Sequence, residues 1–231
     1  ALKFDLDGGT FRGFEYVRVP AREGEQGWRI AAQPDPEGSL YALDQDGRRY
    51  SAEWGKVTAF ELEELVPIAC RIRIEGELAS QQGEALLEYD LWLDAWVGRA
   101  DVRAFLTLRN PRAALREVLG QWPLGLPGSV FLKEAGWSLA PAVTGVPYVP
   151  LHAGGGVGEI YRGPFVSEAK LVQDSSGGEH WFHRTHVNRE WRIPLSYRGF
   201  KAFVDGKDIR QADRAEGWVA FEDPRHGLAV G

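Results

Sequence analysis

The chain has 231 residues, 44% of them hydrophobic and 26% charged, with a formal net charge of -6, an ordinary balance for a globular protein long enough to bury a substantial core. No apolar run approaches the roughly 20 residues of a membrane-spanning helix, which argues against membrane insertion. Residues 1–100 carry 11 basic and 19 acidic side chains (net -8) and residues 101–231 carry 16 and 14 (net +2), so the first half disfavours nucleic acid while the second can meet an anion.

In chain order the pattern is β nearly throughout. Phe11 to Val19 is aromatic and β-branched, and Trp28 to Gln33 follows a Gly/Glu-rich turn. Tyr41 to Leu43 and Arg49 to Trp54 flank Asp-Gln-Asp-Gly, a hairpin signal. Three longer segments alternate strictly. Ile68 to Leu78 sets Ile68, Cys70, Ile72 and Ile74 against Arg71, Arg73 and Glu75. Leu86 to Trp96 sets Leu87, Tyr89, Leu91 and Leu93 against Glu88, Asp90, Trp92 and Asp94. Ala100 to Leu108 sets Val102, Ala104, Leu106 and Leu108 against Arg103, Phe105 and Thr107. Such strands in antiparallel succession predict a large sheet with one face on a core. Cys70, the single cysteine, excludes an internal disulfide and a Cys-rich zinc site, and reads as a small buried hydrophobe.

The one helical candidate is short, Arg112 to Leu119 after Asn110-Pro111. Phe131 to Leu139 and Glu168 to Gln173 read as strands separated by a Gly/Pro-rich loop over Pro141–Gly158. The Gly154-Gly155-Gly156 run in that loop has no following helix, so a phosphate cradle is a poor reading. Two hairpins close the chain: Lys201–Val204 turning at Asp-Gly-Lys-Asp, and Trp218–Glu222 turning at Asp-Pro-Arg-His-Gly into Leu228. The expected fold is all-β, a large antiparallel two-sheet β-sandwich with at most one short helix, spanning residues 1–231 as a single domain. The chain has no methionine and ends in Gly-Leu-Ala-Val-Gly, an apolar run like a strand in progress. It is therefore expected to be part of a longer multidomain protein, with flanking domains of its own chain as neighbours.

Chemistry concentrates in residues 180 to 200, which hold three of the five histidines and two of the nine tryptophans. From His180 to Lys201, five basic side chains face one acid, Glu190. As a strand, 180–188 would put His180, Phe182, Arg184, His186 and Asn188 on one face, with Trp181, His183, Thr185 and Val187 on the other. A row of imidazole, guanidinium, imidazole and carboxamide suits an anionic ligand, since arginine grips a carboxylate through two parallel bonds and histidine moves protons near neutrality. The alternative is a solvated basic rim that balances the acidic half. His180, His183 and His186 fall on both faces of one strand, which disfavours zinc. No cofactor is expected; calcium stays open, with Asp205 and Asp208 offering two oxygens in a hairpin that is more simply turn chemistry.

Four motifs in order carry a resemblance. They are Leu106-Thr-Leu-Arg-Asn-Pro-Arg112, Trp122-Pro-Leu-Gly-Leu-Pro-Gly-Ser129, His186-Val-Asn-Arg189 and Pro194-Leu-Ser-Tyr-Arg-Gly-Phe200, continued by Asp213-Arg-Ala-Glu-Gly-Trp-Val-Ala-Phe221. In this order they resemble the exo-rhamnogalacturonan lyase-like (YetA-like) family, over most of the chain and at that family's central β-sandwich domain. Leu126 departs from the pattern, where an acid is expected. The resemblance implies β-elimination on acidic pectin-type poly- or oligosaccharide. It implies Asn188 with Arg189 or Arg184 at the uronate carboxylate, His186 as base, and Tyr197 as acid or sugar contact. Trp181 or Trp191 would stack on a pyranose ring, and His180 and Arg192 would add substrate contacts. A sugar-degrading role implies export, secreted or periplasmic rather than cytoplasmic. A non-catalytic carbohydrate-binding or structural β-sandwich module is the alternative, and little activity is expected of this piece by itself.

Overall fold

A computed structural model describes residues 2–5, 9–20, 28–33, 40–66, 68–99, 101–113, 127–141, 148–152, 160–164, 166–174, 197–213, 215, 218–222 and 227–230. The described residues form eighteen β-strands and no α-helix. The strand pairs with defined register are antiparallel. The fold is all-β and sandwich-like, with one sheet strongly curled. By internal contacts the chain divides into two compact units, Ala1–Ala114 with Pro127–Ala140, and Leu115–Leu126 with Pro141–Gly231.

The first unit holds two sheets. One is β1 (Leu2–Asp5), β2 (Gly13–Pro20), β3 (Trp28–Gln33) and β11 (Ala140–Pro141), in that spatial order, with Ala140 the last residue of the unit. The other has seven strands: β4 (Leu40–Asp44), β5 (Arg49–Ser51), β6 (Val57–Val66), β7 (Ala69–Ala79), β8 (Ala85–Trp96), β9 (Val102–Arg109) and β10 (Leu132–Trp137). Its order is β10-β4-β5-β7-β8-β9, with β6 also paired to β7. The alternation of the three long strands is what builds it, because period 2 sends every second side chain to the same face. Ile74, Leu78, Leu87, Tyr89, Leu91 and Leu93 point into a core completed by Phe11, Leu40 and Tyr50. The β7–β8 turn fixes their register: the Gly83 N–H donates to Ser80 O at 2.8 Å and the Ser80 N–H to Glu84 O at 2.9 Å. Gly83 takes φ +82°, a conformation that costs glycine little. Gly76 lies opposite Tyr89, and a Cβ there would come within 2.5 Å of the Tyr89 hydroxyl, so the absent side chain makes room for the ring across the strand.

The second unit also holds two sheets. One runs β13 (Ile160–Pro164), β12 (Tyr148–His152), β17 (Trp218–Glu222), β18 (Gly227–Val230). The other runs β14 (Ala169–Gln173), β15 (Phe200–Val204), β16 (Lys207–Ala212), over a small core of Phe200, Ala202 and Val204. Asp205 and Gly206 join β15 to β16 with φ of +49° and +75°, the primed turn whose twist suits a hairpin.

Several expectations need correction. The loop expected over 141–158 contains strand β12, which lies between β13 and β17 although Pro150 brings no N–H. Strand β6 has no counterpart among the sequence-based elements; Phe60 and Leu62 on it are 46% and 67% exposed, so burial does not enforce a strong alternation there. Cys70 is only partly buried, at the start of β7 between Glu64 and Ala95. The short helix over 112–119 falls, from residue 114 on, outside the described residues.

Candidate functional site

Of the residues singled out for chemistry, Tyr197 is described. His180, Trp181, Arg184, His186, Asn188, Arg189, Trp191 and Arg192 lie outside the described residues. Tyr197 precedes β15 and is pinned at both ends. Its N–H donates to an Asp174 carboxylate oxygen at 3.0 Å, and its hydroxyl donates to the Val172 carbonyl at 3.1 Å. The Asp174 N–H in turn donates to Gly199 O at 2.9 Å. Desolvation, then the negative charges of Asp174 and Asp208, push the phenol above its ordinary pKa. Lys201 Nζ sits 5.1 Å from the ring centroid. Near neutrality this hydroxyl is protonated, so it can donate a proton or hydrogen bond and is unsuited to abstracting a proton.

The hairpin acids settle into structural bonds. Both Asp205 carboxylate oxygens accept from the Val166 N–H, at 3.0 and 3.1 Å, and one also takes the Ser167 N–H at 2.8 Å and the Glu168 N–H at 3.2 Å. These backbone donors, Ser167 first, hold its pKa at about 2. Asp208 lies 3.6 Å from Lys201 Nζ. Among the described residues no group of three or more His, Cys, Asp or Glu is placed to hold a metal ion.

A polar cleft of about 440 Å³ opens instead on the charged face of the first unit's large sheet, with Thr58 at its β6 edge. Cross-strand register stacks its walls in rows, because residues directly opposite on one face are neighbours. Glu75, Asp90 and Thr107 form one row, and Glu77, Glu88 and Arg109 the next. Bordering them is Arg73, Trp92 and Phe105. Arg73 forks onto Asp90 with bonds of 3.2 and 2.9 Å and also pairs with Glu75. Arg109 pairs with Glu88. The Arg73 bond, assisted by the Trp92 indole N–H, holds the Asp90 carboxyl below its usual range. The same arrangement repeats one row beyond: Arg71 forks onto Asp94 at 2.6 and 2.9 Å and lowers its pKa.

Both guanidinium groups lie over Trp92, at 4.8 Å for Arg73 and 5.2 Å for Arg71. Trp92 thus acts as a plate that orients the two arginine forks. Phe105, beside it, is 50% exposed. Chemically, the cleft alternates fixed donors and acceptors beside an apolar ring. The alternating charged face was legible in the sequence. The cross-strand rows were not, because they depend on how the three strands register.

No protein-family model, curated protein or solved structure matches the chain in comparison.

Proposed function

We propose that this chain is the β-sandwich part of a carbohydrate-active protein of the exo-rhamnogalacturonan lyase-like kind, acting on acidic pectin-type chains by β-elimination. The observation that carries the reading is the reversal of charge at residues 180–201 in an acidic chain, five basic side chains against one acid, within motifs that keep the family's order. An all-β, sandwich-like fold agrees with it, although fold alone does not fix function.

The chemistry follows from the substrate. The proton beside a uronate carboxylate is weakly acidic, and it leaves only when the carboxylate's charge is offset as the enolate develops. Asn188 with Arg189 or Arg184 would supply that offset, and His186 would take the proton. Tyr197, protonated near neutrality, suits the acid that assists the departing glycosidic oxygen, exchanging its bond to Val172 O for one to the sugar. Trp181 or Trp191 would support a pyranose ring, with His180 and Arg192 as further contacts. The test is ultraviolet absorbance of the new carbon–carbon double bond, followed with rhamnogalacturonan and the full-length protein that carries this chain. Absorbance should rise and should fall at least a hundredfold in rate in His186→Ala, the usual scale of a lost general base (about 10²–10⁴). An unchanged rate in that variant removes His186 from the reaction, and no rise with wild type removes the lyase reading.

A second reading, carbohydrate binding without catalysis, is favoured by the cleft beside Phe105, where polar groups are held rigidly next to a half-exposed ring. Oligosaccharide binding without double-bond formation is its signature.

A further inference from the structure

We propose that the cleft over β7, β8 and β9 binds a neutral sugar ring, a site separate in residues from the 180–201 stretch and without its preference for an anion. Its volume of about 440 Å³ falls within the roughly 300–1,000 Å³ of small-molecule sites. Two arginines and four carboxylates line it, so an anionic sugar would face net negative charge. Both arginines are already engaged, Arg73 by Asp90 and Glu75 and Arg109 by Glu88. A carboxylate ligand would have to displace those bonds.

A sugar hydroxyl fits without displacing them, because it donates and accepts at once. Each guanidinium keeps N–H groups beyond those its carboxylate uses, and each carboxylate keeps lone pairs beyond those its arginine uses. Neighbouring hydroxyls on a ring can therefore bridge adjacent donor and acceptor, with the Thr107 hydroxyl able to serve either way. A simple cation would use the acceptors alone and leave the guanidinium N–H groups of Arg73 and Arg109 without a role. Phe105, opposite Trp92 and two residues from Thr107 on the same face, offers the apolar plate against which the C–H face of a ring packs. The charged walls hold their positions before any ligand arrives, since Trp92 orients Arg73 and Arg73 orients Asp90. Less freedom is then lost on binding. The choice of a sugar among polyhydroxyl ligands rests on the carbohydrate reading above; the choice of a neutral one rests on the cleft's own charges.

The experiment is calorimetric titration of neutral galactose-, arabinose- and rhamnose-based oligosaccharides into the protein, beside an acidic oligogalacturonide. Phe105→Ala and Arg109→Ala are run in parallel, both at exposed side chains (Phe105 50%, Arg109 75%), with thermal unfolding as the check on folding. At least one neutral ligand should bind, and both variants should weaken it about tenfold or more, as expected for removing a central contact. His186→Ala should leave that binding intact, which separates failure of this site from failure of the elimination reading. Absence of neutral binding, neutral binding indifferent to both cleft variants, or acidic ligand weakened by the cleft variants as strongly as neutral ligand would each overturn the proposal.

Discussion

Within the seven-stranded sheet, β7, β8 and β9 are three adjacent antiparallel strands, and β14, β15 and β16 form a sheet of three in the second unit, yet the two sets are held in different ways. The first has strands of 11, 12 and 8 residues, with one face packed into a continuous core and the other laced by arginine forks. The second has strands of 5, 5 and 6 residues, and among the described residues its core buries Phe200, Ala202 and Val204. Its geometry comes from the ends: Asp205 in its ring of N–H groups, Asp174 gripping Tyr197, and Gly199 pressed against β16. Long strands spread their stability over repeated packing, whereas short ones concentrate it in a few turns.

The largest expected effect breaks the first sheet. Leu91 is fully buried, and Leu91→Ala should cost about 2–5 kcal/mol, the usual range for truncating a core leucine, read by denaturant unfolding. The second sheet should break at a turn. Gly199 has φ +82°, and a Cβ there would lie 2.1 Å from Ala212 O. Gly199→Ala should therefore cost about 2 kcal/mol, within the range for enforced backbone strain, with hydrogen-exchange protection lost first along β15 and β16. A smaller loss is expected from Arg71→Ala, which leaves the buried Asp94 carboxylate without its fork. Since the arginine is one-third exposed, about 1.5 kcal/mol is expected, the low end for a bond to a charged group. An equal loss from Leu91→Ala and Arg71→Ala would erase the distinction between core and charged face.

The smallest effect is one of pH. Asp205 has its pKa lowered to about 2 from an unfolded value near 4. A depressed carboxyl contributes stability that is complete above the unfolded value and is lost as pH falls through the folded one. The amides of Val166, Ser167 and Glu168 should thus report a transition between about pH 4 and pH 2, with its midpoint near the lower end, and Asp205→Asn should abolish it. A midpoint near 4 would mean that the N–H groups do not hold the carboxylate.

The same contrast explains what could be read from the chain. Strands β7, β8 and β9 were legible because long strict alternation leaves a helix no consistent apolar face. The Asp205–Gly206 turn was legible because few residues adopt positive φ. Strand β12 was hidden by Pro147, Pro150 and the nearby glycines, since its place in the sheet is decided by β13 and β17. Strand β6 was hidden because its Phe60 and Leu62 stay exposed and its glutamates interrupt the apolar pattern. For the site, Arg73, Asp90, Trp92 and Phe105 could be assigned to a polar face one strand at a time. Their meeting across strands requires the register set by the Ser80–Glu84 turn, a long-range fact that no single segment contains. Tyr197 was identifiable as a polar aromatic beside a basic stretch, but not its bonds to Asp174 and Val172, which come from β14 and the residue after it.

The most direct measurement is calorimetric titration of an acidic rhamnogalacturonan oligosaccharide into the protein, with His186→Ala and Arg189→Ala alongside. Saturable binding by wild type, weakened at least tenfold in both variants, is the result expected if residues 180–201 receive the uronate. Binding of equal strength in all three proteins, or no binding in any, would contradict it and leave the basic stretch as a solvated rim.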